Sequence, residues 1–186
     1  MITHYHLPAC PCPVDELSQF NYLFEGTDAV HISKPTDILS RAFVNWLHEH
    51  DMKPSFVEIF YLPANCTVRR IHTDLPEITD RASKINYIIG GEDAPMQWFE
   101  PLKAGANAVN YAPSNVRKGG TSPFLSWSRD ECTLIDETIL HGSNLIHAGI
   151  PHVVFTKEKP RIAISVVLKD KTSNERLTCE EVANRL

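Results

Sequence analysis

Between Thr36 and His50 the apolar residues Ile38/Leu39, Ala42/Phe43 and Trp46/Leu47 recur at i, i+4 and i+8, which places them on one face of a helix. Thr36 is placed to cap its N-terminus, and Asp37 suits the positive end of the helix dipole. His48, Glu49 and His50 fall at the far end, and Pro54 blocks continuation. The spacing therefore predicts a helix over 36–50.

From Phe56 onward the period changes to short β-rich runs broken by Gly, Pro, Asn and Asp. The runs are Phe56–Leu62, Thr67–His72, Ile85–Ile89, Met96–Glu100, Ala108–Tyr111, Thr133–Ile139, Asn144–Ala148, His152–Thr156 and Arg161–Leu168. Eight or nine short strands with no long helical segment between them predict a mainly β antiparallel sandwich or barrel, and a jelly roll has the right strand number. The capping-box pattern Thr178-Cys179-Glu180-Glu181 predicts a short helix over 178–186. Residues 1–35 carry prolines at 8, 11, 13 and 35 and little periodicity. They read as an irregular arm with one short helix or strand near Leu17 to Phe24. With no repeat or linker in view, residues 1–186 read as a single domain with a β core over 56–168.

Composition narrows the function classes. The chain has 42% hydrophobic and 22% charged residues, a globular balance. A formal charge of −5, with 18 basic residues scattered among 23 acids, excludes a nonspecific nucleic-acid binder, which needs clustered Lys and Arg. No apolar run approaches the ~20 residues that span a bilayer, and the N-terminus lacks a basic start followed by an apolar stretch. A cytoplasmic location is the resulting expectation. Five cysteines without an export signal are expected to be reduced thiols. Cys10 and Cys12 with His4 and His6 offer four metal-binding side chains, but a single residue between the thiols and flanking prolines favour an irregular arm.

The candidate chemistry lies in Val68-Arg69-Arg70-Ile71-His72-Thr73-Asp74, where a period of two puts His72 and Asp74 on one strand face. Nine histidines and 23 acids in 186 residues give about 1.1 His-x-(Asp/Glu) pairs by chance, so the pair counts only in company. The company is His152, after the turn Ala148-Gly149-Ile150-Pro151, and Arg161 at the start of the apolar strand Ile162–Leu168. Two histidines and a carboxylate make a facial triad that leaves positions open on a non-haem iron. An arginine opening so apolar a strand has few neighbours to satisfy it, and its fork suits a buried carboxylate. His147 is a second candidate for the distal ligand, although it precedes the turn.

In this order, His72-x-Asp74, His152 and Arg161 resemble the Fe(II)/2-oxoglutarate-dependent oxygenases, in particular the small prolyl- and asparaginyl-hydroxylase-like members. The resemblance covers residues ~56–168 on the strand count, and includes Arg81–Tyr87, Met96–Pro101 and Gly149–His152. It implies a double-stranded β-helix of the cupin type with the N-terminal helix as outer buttress. It further implies Fe(II) bound by His72, Asp74 and His152, and 2-oxoglutarate paired through its distal carboxylate with Arg161. Asn86 or Tyr87, on the strand after the first ligands, would assist, and strand alternation lets only one of them face inward. Many members carry a hydroxyl two residues after the arginine; here that position is Ala163, with Ser165 one step farther. A small-molecule or peptide substrate follows from the resemblance.

Two other readings stand beside it. Ala148–His152 also resembles the second metal motif of the wider cupins, which implies a metal-dependent isomerase, a dioxygenase without co-substrate or a ligand-binding module. A noncatalytic β-sandwich is the third. The side on which Arg161 lies separates the first two.

Overall fold

Residues 3–16, 29–32, 37–67, 70–102, 110–114 and 120–186 are described by the computed structural model. Its strands are β1 (His4–His6), β2 (Ala29–Ile32), β3 (Met52–Leu62), β4 (Ile71–His72), β5 (Ser83–Gly90), β6 (Pro95–Pro101), β7 (Asn110–Ser114), β8 (Gly120–Phe124), β9 (Ser126–Trp127), β10 (Cys132–Ile139), β11 (Gly142–His147), β12 (His152–Val154) and β13 (Arg161–Asp170). Helix α1 spans Arg41–Glu49 and α2 spans Cys179–Ala183.

The larger antiparallel sheet runs β1-β11-β5-β13-β3-β2, the smaller one β10-β6-β12-β4-β9, and β7 and β8 pair with each other. Through the core strands β3, β4, β5 and β6 the chain alternates between the two sheets, and it does so again through β10, β11, β12 and β13. That winding is the double-stranded β-helix, or jelly roll, expected from the strand count.

Alternation along β13 shows how the layers form. Ile162, Ile164 and Val166 point to the outer face of the larger sheet, where they join Val57, Ile59, Ile85 and Leu145 under Phe43 and Leu47 of α1 and Val182 of α2. Arg161, Ala163 and Ser165 point the other way, into the space between the sheets. There Ile88, Met96, Trp98, Ile146 and Ala163 form a second apolar cluster. The helices thus cover the outer face, and the inner face is left to carry polar groups.

The elements differ from expectation at their ends. The first helix begins at Arg41, and Ser40 caps it by accepting from the Phe43 N–H; Thr36 lies outside the described residues. Pro54 falls inside β3, where the β13 register shifts between Val167 and Leu168, a bulge that tolerates a residue without an N–H. The N-terminal arm is not wholly irregular, because β1 pairs with β11 and β2 with β3 at the two edges of the larger sheet. The expected element near Leu17 to Phe24 lies outside the described residues, as does the start of the Ala108–Tyr111 run. The short C-terminal helix has the expected capping box between Thr178 and Glu181. Among the described residues no helix is long and apolar enough to cross a membrane.

Candidate metal centre and anion pocket

Register brings the first two site residues together. His72 of β4 and His152 of β12 are direct cross-strand partners in the smaller sheet, with ring centroids 4.9 Å apart. The chain leaves the ladder after His72, and the Asp74 N–H donates to the Ala148 carbonyl at 3.2 Å, which ties the aspartate to the turn before His152. That turn needs Gly149, since a Cβ there would stand 2.0 Å from the Thr79 carbonyl oxygen.

Each histidine is oriented by a carbonyl two residues upstream: His72 Nδ1 lies 3.1 Å from the Arg70 oxygen, and His152 Nδ1 lies 2.8 Å from the Ile150 oxygen. A carbonyl oxygen only accepts, so both Nδ1 atoms carry the proton, and the neutral ring keeps its lone pair on Nε2. The Nε2 atoms of His72 and His152 stand 3.7 and 3.8 Å from Asp74 Oδ1. These separations are too long for hydrogen bonds, and the three atoms bracket a common space. Among the described residues this trio forms the one group of three or more His, Cys, Asp or Glu side chains close enough to hold a metal ion. Its donor chemistry, two imidazoles and one carboxylate oxygen, fits a transition metal with open positions.

The trio lies in a cavity of about 120 Å³, room for more than the ~10–15 Å³ that one water needs. Arg161 lines the same cavity. It is buried, and among the described residues its guanidinium has no hydrogen-bond or ion-pair partner, so burial alone pushes its pKa down to about 10. Gly90 and Gly91, both at positive φ, form the turn beside it, and a Cβ on Gly91 would lie 2.8 Å from the Arg161 Cβ and 3.0 Å from its Cδ. The glycine makes room for the arginine stem.

Of the two assisting candidates, Asn86 lines the cavity, where its Oδ1 accepts from Ser165 Oγ at 2.6 Å. Tyr87 is on the opposite face and packs against the outer apolar cluster. Of the two, strand alternation therefore puts Asn86 on the cavity side and Tyr87 outside it. Ser165 is about 13 Å along the strand from Arg161 at ~3.3 Å per residue, too far to share one carboxylate with it. His147 is buried but stands outside the trio, with its N–H donating to the Thr3 carbonyl. The N-terminal side chains disperse: His4 stacks on Trp98, His6 approaches Asn144, and the Cys10 thiol donates to the Pro11 carbonyl.

Sequence reasoning missed Lys84 and Glu58. The Lys84 ammonium lies 2.6 Å from Asp74 Oδ2 and 2.5 Å from Glu58 Oε2, and its cationic head stands 5.6 Å from the Phe60 ring centre. Burial opposes the charge on Asp74, but Lys84, His152 and His72 outweigh it and hold the carboxyl below its ordinary range. Burial likewise opposes the charge on Lys84, and the Asp74 and Glu58 carboxylates overcome it and raise its pKa. His152 is pushed down to about 4, by burial first, with Asp74 pulling the other way. The signal for Lys84 was in the strand period, which puts it on the same face as Asn86.

No family model matches the chain, and no curated protein matches it. Among solved structures its fold is similar to that of EvdO2 from Micromonospora carbonacea var. aurantiaca, determined with 2-oxoglutarate. The two are 10% identical, with a TM-score of 0.36, over 79% of this chain and 70% of that one. So distant a likeness carries nothing about chemistry, and the case rests on the side chains.

Proposed function

We propose that the chain is a non-haem Fe(II)- and 2-oxoglutarate-dependent oxygenase, a hydroxylase acting on a small-molecule or peptide substrate. One observation carries the reading: two oriented imidazoles and a carboxylate oxygen face the same cavity as a buried arginine that has no anionic partner among the described residues. His72, Asp74 and His152 would hold the iron, and Arg161 would pair with the distal carboxylate of 2-oxoglutarate, as a guanidinium fork does with planar oxyanions. Bound there, iron would supply oxygen activation coupled to oxidative decarboxylation of the co-substrate. The protein's own share is positional. The Arg70 and Ile150 carbonyls fix the rings, Lys84 keeps Asp74 ionised, and Asn86 adds a polar amide to the cavity lining. Met96, Ile146 and Val154 form apolar wall and limit the water beside the reacting groups.

Anaerobic titration with Fe(II) and 2-oxoglutarate tests this: a charge-transfer band should appear in the wild type and vanish in His72→Ala. Absence of the band in the wild type rejects the oxygenase. A metal-binding cupin that takes another anion is the alternative, favoured by Ala163 where many oxygenases place a hydroxyl. Iron binding that 2-oxoglutarate leaves unperturbed would select it.

A further inference from the structure

Lys84 is a buried cation inserted between two carboxylates on the inner face of the larger sheet. Burying such a cluster is costly, and a well-packed apolar group in its place is often neutral or stabilising, so the fold alone does not call for it. Its geometry divides the two oxygens of Asp74. Oδ2 is taken by the Lys84 ammonium at 2.6 Å, while Oδ1 is the oxygen that faces His72 Nε2 and His152 Nε2. A carboxylate with both oxygens free binds a cation through one or through both. An ammonium on Oδ2 removes the second mode, and Glu58, on the other side of the same ammonium, holds that group in place.

We propose that Lys84, anchored by Glu58, is a positioning residue that restricts Asp74 to one-oxygen ligation and so keeps a coordination position open for an incoming anion. The inference rests on the metal reading of His72, Asp74 and His152, and extends it to a residue that meets Asp74 through Oδ2, the oxygen turned away from the two histidines.

The test replaces iron with Co(II), whose d–d absorption reports coordination number and symmetry. Wild-type protein should bind one Co(II) with a defined spectrum. Folded Lys84→Met should bind Co(II) with shifted bands of altered intensity, and 2-oxoglutarate affinity of the Co(II) form should fall at least five-fold. Should that variant not fold, Lys84→Met combined with Glu58→Gln removes one charge of each sign and still frees Oδ2. A spectrum and 2-oxoglutarate affinity identical to wild type in whichever variant folds overturns the role of Lys84 and leaves the metal site standing. Wild-type protein that takes up no Co(II) overturns the metal site, and the positioning role with it. A merely structural ion pair would change the melting temperature and leave the spectrum alone.

Discussion

Replacing Arg161 with methionine should make the ligand-free protein more stable and the ligand-bound protein less so. The guanidinium is buried, and among the described residues no anion faces it. The depression of its pKa from 12.5 to about 10 corresponds to about 3 kcal/mol of unfavourable burial at ~1.4 kcal/mol per pH unit. Methionine keeps an unbranched apolar stem in the space that Gly91 leaves, so most of that strain is relieved and the packing is retained. Metal-free Arg161→Met is expected to gain about 1–3 kcal/mol, which at ~2–4 °C per kcal/mol raises the melting temperature by several degrees. Addition of 2-oxoglutarate with Mn(II), in place of oxidisable iron, should then reverse the order. At a hundred times its dissociation constant a ligand adds about 2.7 kcal/mol to the wild type, and the variant should gain little of this. Denaturant titrations of both proteins, with and without the two ligands, read all four states. A variant that is less stable than wild type when empty, and gains the same increment on ligand addition, refutes the claim that Arg161 is an unsatisfied anion site.

The metal-free protein should lose stability in acid, because His152 has a folded pKa of about 4 against an ordinary 6.5. Its neutral form is favoured by folding, so its contribution is complete above pH 6.5 and lost as pH falls toward 4, up to about 3 kcal/mol; His152→Gln should flatten that slope in denaturation measured from pH 7 to 4. Gly91→Ala should cost about 1–3 kcal/mol through its positive φ and its clash with the Arg161 stem. Calorimetry on that variant should show Mn(II) binding retained and 2-oxoglutarate binding weakened. Thr178→Ala breaks the capping box that starts α2, whose Val182 is buried in the outer cluster, and should lower stability by about 1 kcal/mol in urea titration.

The β architecture was legible because period and punctuation agree wherever a strand is long: β3, β5, β6, β10 and β13 all contain their expected runs. The ends were less so. The helix signal at Thr36 and Asp37 competes with Ser40, and Ser40 wins because its hydroxyl reaches the Phe43 N–H while its backbone is still extended. In β1, three residues have no pattern to read, and their strand character comes from the exposed edge of β11 that they cover. For the candidate site, His72, Asp74, His152 and Arg161 carried a spacing signal, and the fold brings all four to one cavity. Lys84 shared only the strand period that puts it on the face of Asn86, and Glu58 carried no signal of its own. Each is an ordinary surface residue by type, and only the pairing of β3 and β5 with β13 places them on the inner face beside Asp74.

That inner face holds a charge balance which argues for two ligands together. Among the described residues, Asp74 and Glu58 are opposed by Lys84 and Arg161, so the ionised groups around the cavity sum to zero. A divalent cation alone would leave the cavity two charges positive, and a dianion alone two charges negative. In a space walled by Met96, Ile146 and Val154 either imbalance is poorly screened, whereas the pair restores neutrality. On the proposed reading the anion end at Arg161 and the metal end at Asp74 would therefore be coupled through the charge they share. By linkage Mn(II) must tighten 2-oxoglutarate by the same factor that 2-oxoglutarate tightens Mn(II), and allosteric couplings of this kind run to about 5–150-fold. Equal 2-oxoglutarate affinity in the presence and absence of Mn(II) would mean that Arg161 answers to an anion unconnected with the metal, and the oxygenase reading would lose its main support.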